Sequence, residues 1–153
     1  MHYFKGSQLL IMDAKGRFGV PTRQREALVA AMEGGLVLTP NREQSLILFP
    51  KQHWDALAAK IRELPALDPM AALLRRMIIG MAEDVEMDGA GRLLVPPELR
   101  KYACLEKEIR FVGQDHYFEI WSEANWQKQT QIFSGLKPED FANLSPSLGN
   151  LRF

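Results

Sequence analysis

Two stretches of this sequence place an aspartate and an arginine four residues apart around a glycine. They are Asp13-Ala-Lys15-Gly16-Arg17 and Asp88-Gly-Ala90-Gly91-Arg92. Asp, Gly and a small residue in succession are turn chemistry, with Gly16 and Gly91 able to supply a positive φ. Across such a turn, Asp and Arg can form an internal ion pair that does no more than fix a hairpin. A guanidinium projecting from the end of a hairpin is also well mounted to meet phosphates or guanine edges. The two roles are compatible, since the aspartate can orient the arginine that touches DNA.

Other chemistry finds little support. His2, His53 and His116 stand at no metal-ligand spacing from one another, from a cysteine or from a carboxylate pair, and His53 and His116 read as surface residues. Cys104 has no neighbouring cation or histidine to activate it and reads as a buried structural thiol. No GxxxxGK[ST], GxSxG or GxGxxG motif occurs. Asp84, Glu86 and Asp88 alternate along one strand face and are the nearest approach to an acidic metal cluster, but a solvated strand face accounts for them. The expectation is a protein with no catalytic residue, metal, cofactor or small-molecule substrate.

The chain has 153 residues, 19 basic against 19 acidic, and 46% apolar content. That is an ordinary globular composition, and the length suits one domain or two small halves sharing a core. No apolar run approaches the roughly 18 residues that cross a bilayer. Met1 to Gly6 lacks the features of a secretory signal, and a single cysteine fits a reducing compartment. A soluble cytoplasmic protein is therefore expected. The neutral total hides a local bias. Lys5, Lys15, Arg17, Arg23 and Arg25 share the first 25 residues with one acid, Asp13. A solvated surface explains this concentration, and so does a phosphate-facing patch. Charge alone does not decide between them.

The elements that must carry these residues come in two copies. Residues 12–25 (MDAKGRFGVPTRQR) and 87–100 (MDGAGRLLVPPELR) agree at seven of fourteen positions, including both closing arginines. Composition alone gives about one identity. In each copy a strand leads into the turn (8–12 and 82–87) and a short strand leaves it (17–20 and 92–95). Proline then starts a helix (22–32 and 97–103). Two more strands follow, 36–39 with 45–49 and 108–112 with 117–121, and then a terminal helix near 51–63 and 122–132. Apolar spacing at Met70, Leu73, Leu74, Met77, Ile78 and Met81 predicts a further helix between the copies. The domain expected is a single pseudo-symmetric one over 1–135, with repeat one about 5–63, a linker helix 69–80 and repeat two about 82–132. Residues 136–153 read as a loosely ordered tail.

The opening FKGSQLLIMDAKGRFGVPTRQRE, the middle RRMIIGMAEDVEMDGAGRLLVPPELRKYACLEKE and FVGQDHYFEIWSEANW resemble the bacterial MraZ family over roughly residues 2–135. That resemblance implies an α+β fold, a double-split β-barrel of the AbrB/SpoVT swapped-hairpin type with both DxxxR halves in one chain. It implies a transcriptional regulator, typically a repressor, of the division and cell-wall gene cluster. Such a protein binds short G-containing direct repeats in its own promoter, forms ring-like homo-oligomers and associates with the nucleoid. No enzyme activity belongs to that picture. Lys15, Arg17 and Arg92 become the DNA-contacting candidates, with Lys5, Arg23 and Arg25 from the basic stretch beside them. Asp13, Gly16, Asp88 and Gly91 hold the turns. Ala90 stands where the first motif has Lys15, so the halves are not expected to act equally. The competing reading is a protein–protein scaffold or antitoxin-like module, whose basic patch would neutralise an acidic partner.

Overall fold

The computed structural model describes residues 3–142. The described residues fall into two compact units, 3–123 and 124–142. The first holds both motifs. Its strands are β1 (Ser7–Ile11), β2 (Arg17–Gly19), β3 (Leu36–Asn41), β4 (Ser45–Pro50), β5 (Glu83–Val85), β6 (Arg92–Leu94), β7 (Glu108–Gly113) and β8 (Phe118–Ser122). Its helices are α1 (Thr22–Ala31), α2 (Lys51–Arg62), α3 (Pro69–Leu74), which runs on into a π-helical turn over Arg75–Ile79, and α4 (Pro97–Tyr102).

Six strands form one antiparallel sheet in the order β1-β7-β8-β4-β3-β5, and β2 pairs with β6 as a separate ribbon. The order is a palindrome of the two repeats. The leading strand of each repeat has left its own copy: β1 pairs with β7, and β5 pairs with β3. The two copies therefore exchange their first strands. Phe18 and Leu93, at matching places in the two motifs, face each other across the ribbon.

Alternation along the strands builds the core. In β2, Phe18 is buried between half-buried Arg17 and exposed Gly19, and in β6 Leu93 is buried between exposed Arg92 and Leu94. Phe18 and Leu93, with Val20 and Val95 just beyond them, join Leu36, Leu48, Phe111 and Phe118 in the main core. Phe111 stacks on Phe118 at 4.3 Å, and Phe18 meets Phe111 at 5.7 Å. Each such burial contributes roughly 1.5–3 kcal/mol. A second cluster, Val37, Phe49, Trp54 and Ala58, is joined by Ile78 and Ile79 of the π-helical turn. Thr39 Oγ1 donates to the Ile78 carbonyl at 2.7 Å and ties that turn to β3.

The second unit consists of most of α5 (Glu123–Ser134) and of α6 (Pro138–Ala142), where the Asp140 carboxylate accepts from the Lys137 amide at 2.7 Å. Within the stretch expected to be a loosely ordered tail, residues 138–142 form this short helix, which Pro138 and the cap start. The rest of that tail, 143–153, lies outside the described residues. The expectation for Cys104 is corrected. It is exposed rather than buried, at φ +56° just past Ala103, the C-cap of α4. The left-handed conformation that ends the helix turns it outward, and its neighbours Ala103 and Leu105 fill the core.

Candidate nucleic-acid interface

The two turns are built alike. Asp13 Oδ1 accepts the amides of Lys15 and Arg17, each at 2.9 Å, and Asp88 Oδ1 accepts those of Ala90 (2.9 Å) and Arg92 (2.8 Å). The backbone closes the same loops, with Gly16 N to Asp13 O at 3.0 Å and Gly91 N to Asp88 O at 2.9 Å. Gly16 and Gly91 carry φ +90° and +78°, where a side chain is strained. Each aspartate thus acts first as a backbone acceptor. Both carboxyls titrate below their ordinary range, chiefly because the Arg17 or Arg92 amide donates to the charged form.

The arginine side chains differ. Arg92 Nε donates to Asp88 Oδ2 at 2.9 Å, closing an exposed ion pair. Arg17 makes no such pair with Asp13 among the described residues and is half-buried. Both strands leave their turns at opposite ends of the ribbon, Arg17 opposite Leu94 and Arg92 opposite Gly19. Since Phe18 and Leu93 face the core, Arg17, Gly19, Arg92 and Leu94 share the outer face. The two arginines are offset by two residues, about 7 Å along the strands. Their fields reach across the ribbon, for Arg92 helps to keep Asp13 ionised.

The six cation candidates fall into three places. Lys15, Arg17 and Arg92 belong to the turns and ribbon, with Lys15 exposed. Lys5 is exposed and precedes β1, and the Arg23 guanidinium lies beside Gly6. The length of β1, about 17 Å, separates this pair from the first turn. Arg25 lies elsewhere again. Its guanidinium sits on Gly91 of the second turn, where Nη2 donates to Val20 O at 3.0 Å. Its counterpart Arg100 sits on Gly16 of the first turn. Arg100 was not among the residues singled out from the sequence, although its identity with Arg25 in the aligned motifs was the signal for it.

Beside the first turn lies an open groove of about 510 Å³ with Asp13, Arg100 and Lys107 in its lining. His53 and His116, far apart in sequence, stack at 5.1 Å. Among the described residues no group of three His, Cys, Asp or Glu side chains is placed to hold a metal, and no helix is long and apolar enough to cross a membrane.

These features define an α+β repeat protein whose two halves exchange strands and present paired aspartate-braced turns. The family model described as "MraZ protein, putative antitoxin-like" matches the chain twice, at residues 3–77 and 78–142. A transcriptional regulator MraZ of Dechloromonas aromatica is 44% identical over 145 residues, covering 92% of this chain and 98% of the relative. The protein of the same name from Methylobacillus flagellatus is 48% identical over 128 residues, 84% of this chain and 86% of the relative. That of Shewanella amazonensis is 44% identical over 141 residues, 91% and 93%. The chain belongs to the MraZ family.

Proposed function

We propose that this chain is a sequence-specific DNA-binding transcriptional regulator, with the first turn as its reading element. The observation that carries this is the pair of aspartate-braced turns flanking one ribbon, with the Arg17 side chain unpaired among the described residues and Lys15 exposed two residues before it. Arginine on a narrow, pre-formed mount can reach a guanine edge with two of its donor nitrogens, and a neighbouring lysine can hold phosphate. The relatives' shared name supports the regulatory role. The exchanged strands support a swapped-hairpin, double-split barrel as the scaffold.

The target that goes with this reading is a set of short G-containing direct repeats upstream of the chain's own gene, in the division and cell-wall cluster. The protein acts there as a repressor, in the cytoplasm and on the nucleoid. With a net charge of zero, one protomer has little general attraction for DNA. A ring-like homo-oligomer would make later contacts intramolecular and raise affinity steeply with repeat number. The test is a gel shift at stated salt on one repeat and on an array of three, with particle mass measured in the same buffer. The array is expected to bind at least tenfold more tightly. Equal affinity would end the avidity mechanism. Failure on both DNAs would favour the protein–protein or antitoxin-like alternative.

A further inference from the structure

The two motifs close on Arg25 and Arg100, and each side chain is spent on the opposite repeat. A Cβ added to Gly91 would fall on the Arg25 guanidinium, and one added to Gly16 would come within 2.7 Å of Arg100 Nε. Both arginines are half-buried, and the Nε of each is sealed from solvent without a hydrogen-bond partner. An arrangement that leaves two guanidinium nitrogens unsatisfied is not one that salt bridging explains. It is explained by shape: a flat, weakly hydrated guanidinium lies against a backbone that only glycine leaves bare. The glycine carbonyls are bound by the same exchange, since Val20 N donates to Gly91 O at 2.9 Å and Val95 N to Gly16 O at 2.8 Å.

We infer that Arg25 and Arg100 are crossed positioning residues: Arg100 of the second repeat holds the Asp13–Arg17 turn in its DNA-reading shape, and Arg25 of the first holds Asp88–Arg92. The inference rests on the reading of the turns as DNA-facing elements. Arg25 then owes its place in the basic stretch to the second turn, not to phosphate. Each half of the protein presents its loop only while the other half is docked.

Amide hydrogen exchange on the full chain tests this without DNA, because the amides of residues 15–17 and 90–92 are held by the bonds described above. In Arg100→Ala, exchange at Lys15, Gly16 and Arg17 is expected to rise at least tenfold while Ala90, Gly91 and Arg92 stay unchanged. Arg25→Ala is expected to do the reverse. Arg100→Lys and Arg25→Lys keep the charge and lose the plane, so they should behave like the alanine variants, and they decide the matter if an alanine variant fails to fold. Unchanged exchange, or a rise confined to the turn of the same repeat, would overturn the crossing. Full protection in the lysine variants would overturn the role of the flat guanidinium.

On operator DNA, Lys15→Ala should lose several-fold affinity in the wild-type background and less than twofold when Arg100→Ala has already loosened its turn. A full Lys15 effect in that background counts against the inference. A drop of about 0.9 in the salt slope for Arg25→Ala, with exchange unaltered, would make Arg25 a phosphate contact and sink its positioning role. If wild-type chain binds no operator yet the crossed exchange pattern appears, the functional reading fails and the positioning stands.

Discussion

Arg92 Nε lies 2.9 Å from Asp88 Oδ2, so the second arginine is already engaged by the aspartate of its own turn. Reaching DNA with Arg92 means giving up that pair; reaching it with Arg17 means giving up none among the described residues. Acids sharpen the contrast, since Glu83, Asp84 and Glu86 precede the second turn whereas Ser7 to Met12 before the first carry no charge. Arg17→Ala is expected to abolish operator binding while leaving fold and particle mass intact. Lys15→Ala should weaken binding and flatten its salt dependence. Arg92→Ala should act chiefly on thermal stability or assembly. Gel shifts and particle masses for the three variants decide. If Arg92→Ala assembles normally yet loses DNA as completely as Arg17→Ala, both loops read the operator.

The motif glycines should be intolerant for two separable reasons. Gly16→Ala and Gly91→Ala put a side chain at positive φ and against an arginine of the other repeat. Each is expected to lower stability by at least about 1 kcal/mol in denaturant melts. Gly19 lies in the same ribbon with open space where a Cβ would go, so Gly19→Ala should be nearly neutral. A neutral Gly16→Ala would mean that the turn relaxes without loss.

Local order was the legible part of this fold. Turn residues, proline starts and strand alternation each act over a few positions, and the expected strands and helices fall within a few residues of those observed. Strand exchange has no local signature: nothing in Ser7–Ile11 says that its partner is Glu108–Gly113 and not a strand of its own repeat. The seat of Arg25 on Gly91 is illegible for the same reason, because that glycine is brought there only by docking of the repeats. At Cys104 the backbone overrode side-chain preference. The His53–His116 stack likewise joins the start of α2 to a distant hairpin and leaves no pattern in either segment.

Acid should loosen the turns first. Asp13 and Asp88 ionise below the ordinary value of 3.8, held there first by the Arg17 and Arg92 amides. Their contribution to stability is therefore complete above 3.8 and is lost as pH falls through the lower folded values. Glu119 has the opposite sign, since burial raises its pKa and its protonated form suits the folded state. The paired variant Asp13→Asn/Asp88→Asn retains an oxygen acceptor for each turn but no titrating group. Thermal melts from about pH 6 to about pH 3 should show a shallower acid loss than in wild type. Identical slopes would mean that the carboxyls do not hold the turns through their charge.

The linker helix separates an outward apolar face from an inward one, and the separation has a backbone cause. In the sequence, Met70 to Met81 reads as one broad stripe. In the structure Gly80 N donates to Arg75 O at 2.8 Å, the five-residue closure of a π-helical turn. One additional residue per turn rotates everything after it by about 100° relative to a continuous α-helix. Ile78 and Ile79 consequently pack on the second core cluster, while Met70 and Leu73 remain 62% and 48% exposed. The outward pair is the part available to a second copy of the chain, and Ile79 is not. Leu73→Glu is expected to reduce particle mass with the protomer's circular dichroism and melting unchanged. Ile78→Glu, which forces a charge among Val37, Phe49 and Trp54, should unfold or aggregate the protomer instead. Sedimentation and thermal melts on the two variants separate the faces. An unaltered mass for Leu73→Glu would remove this helix from the assembly contact.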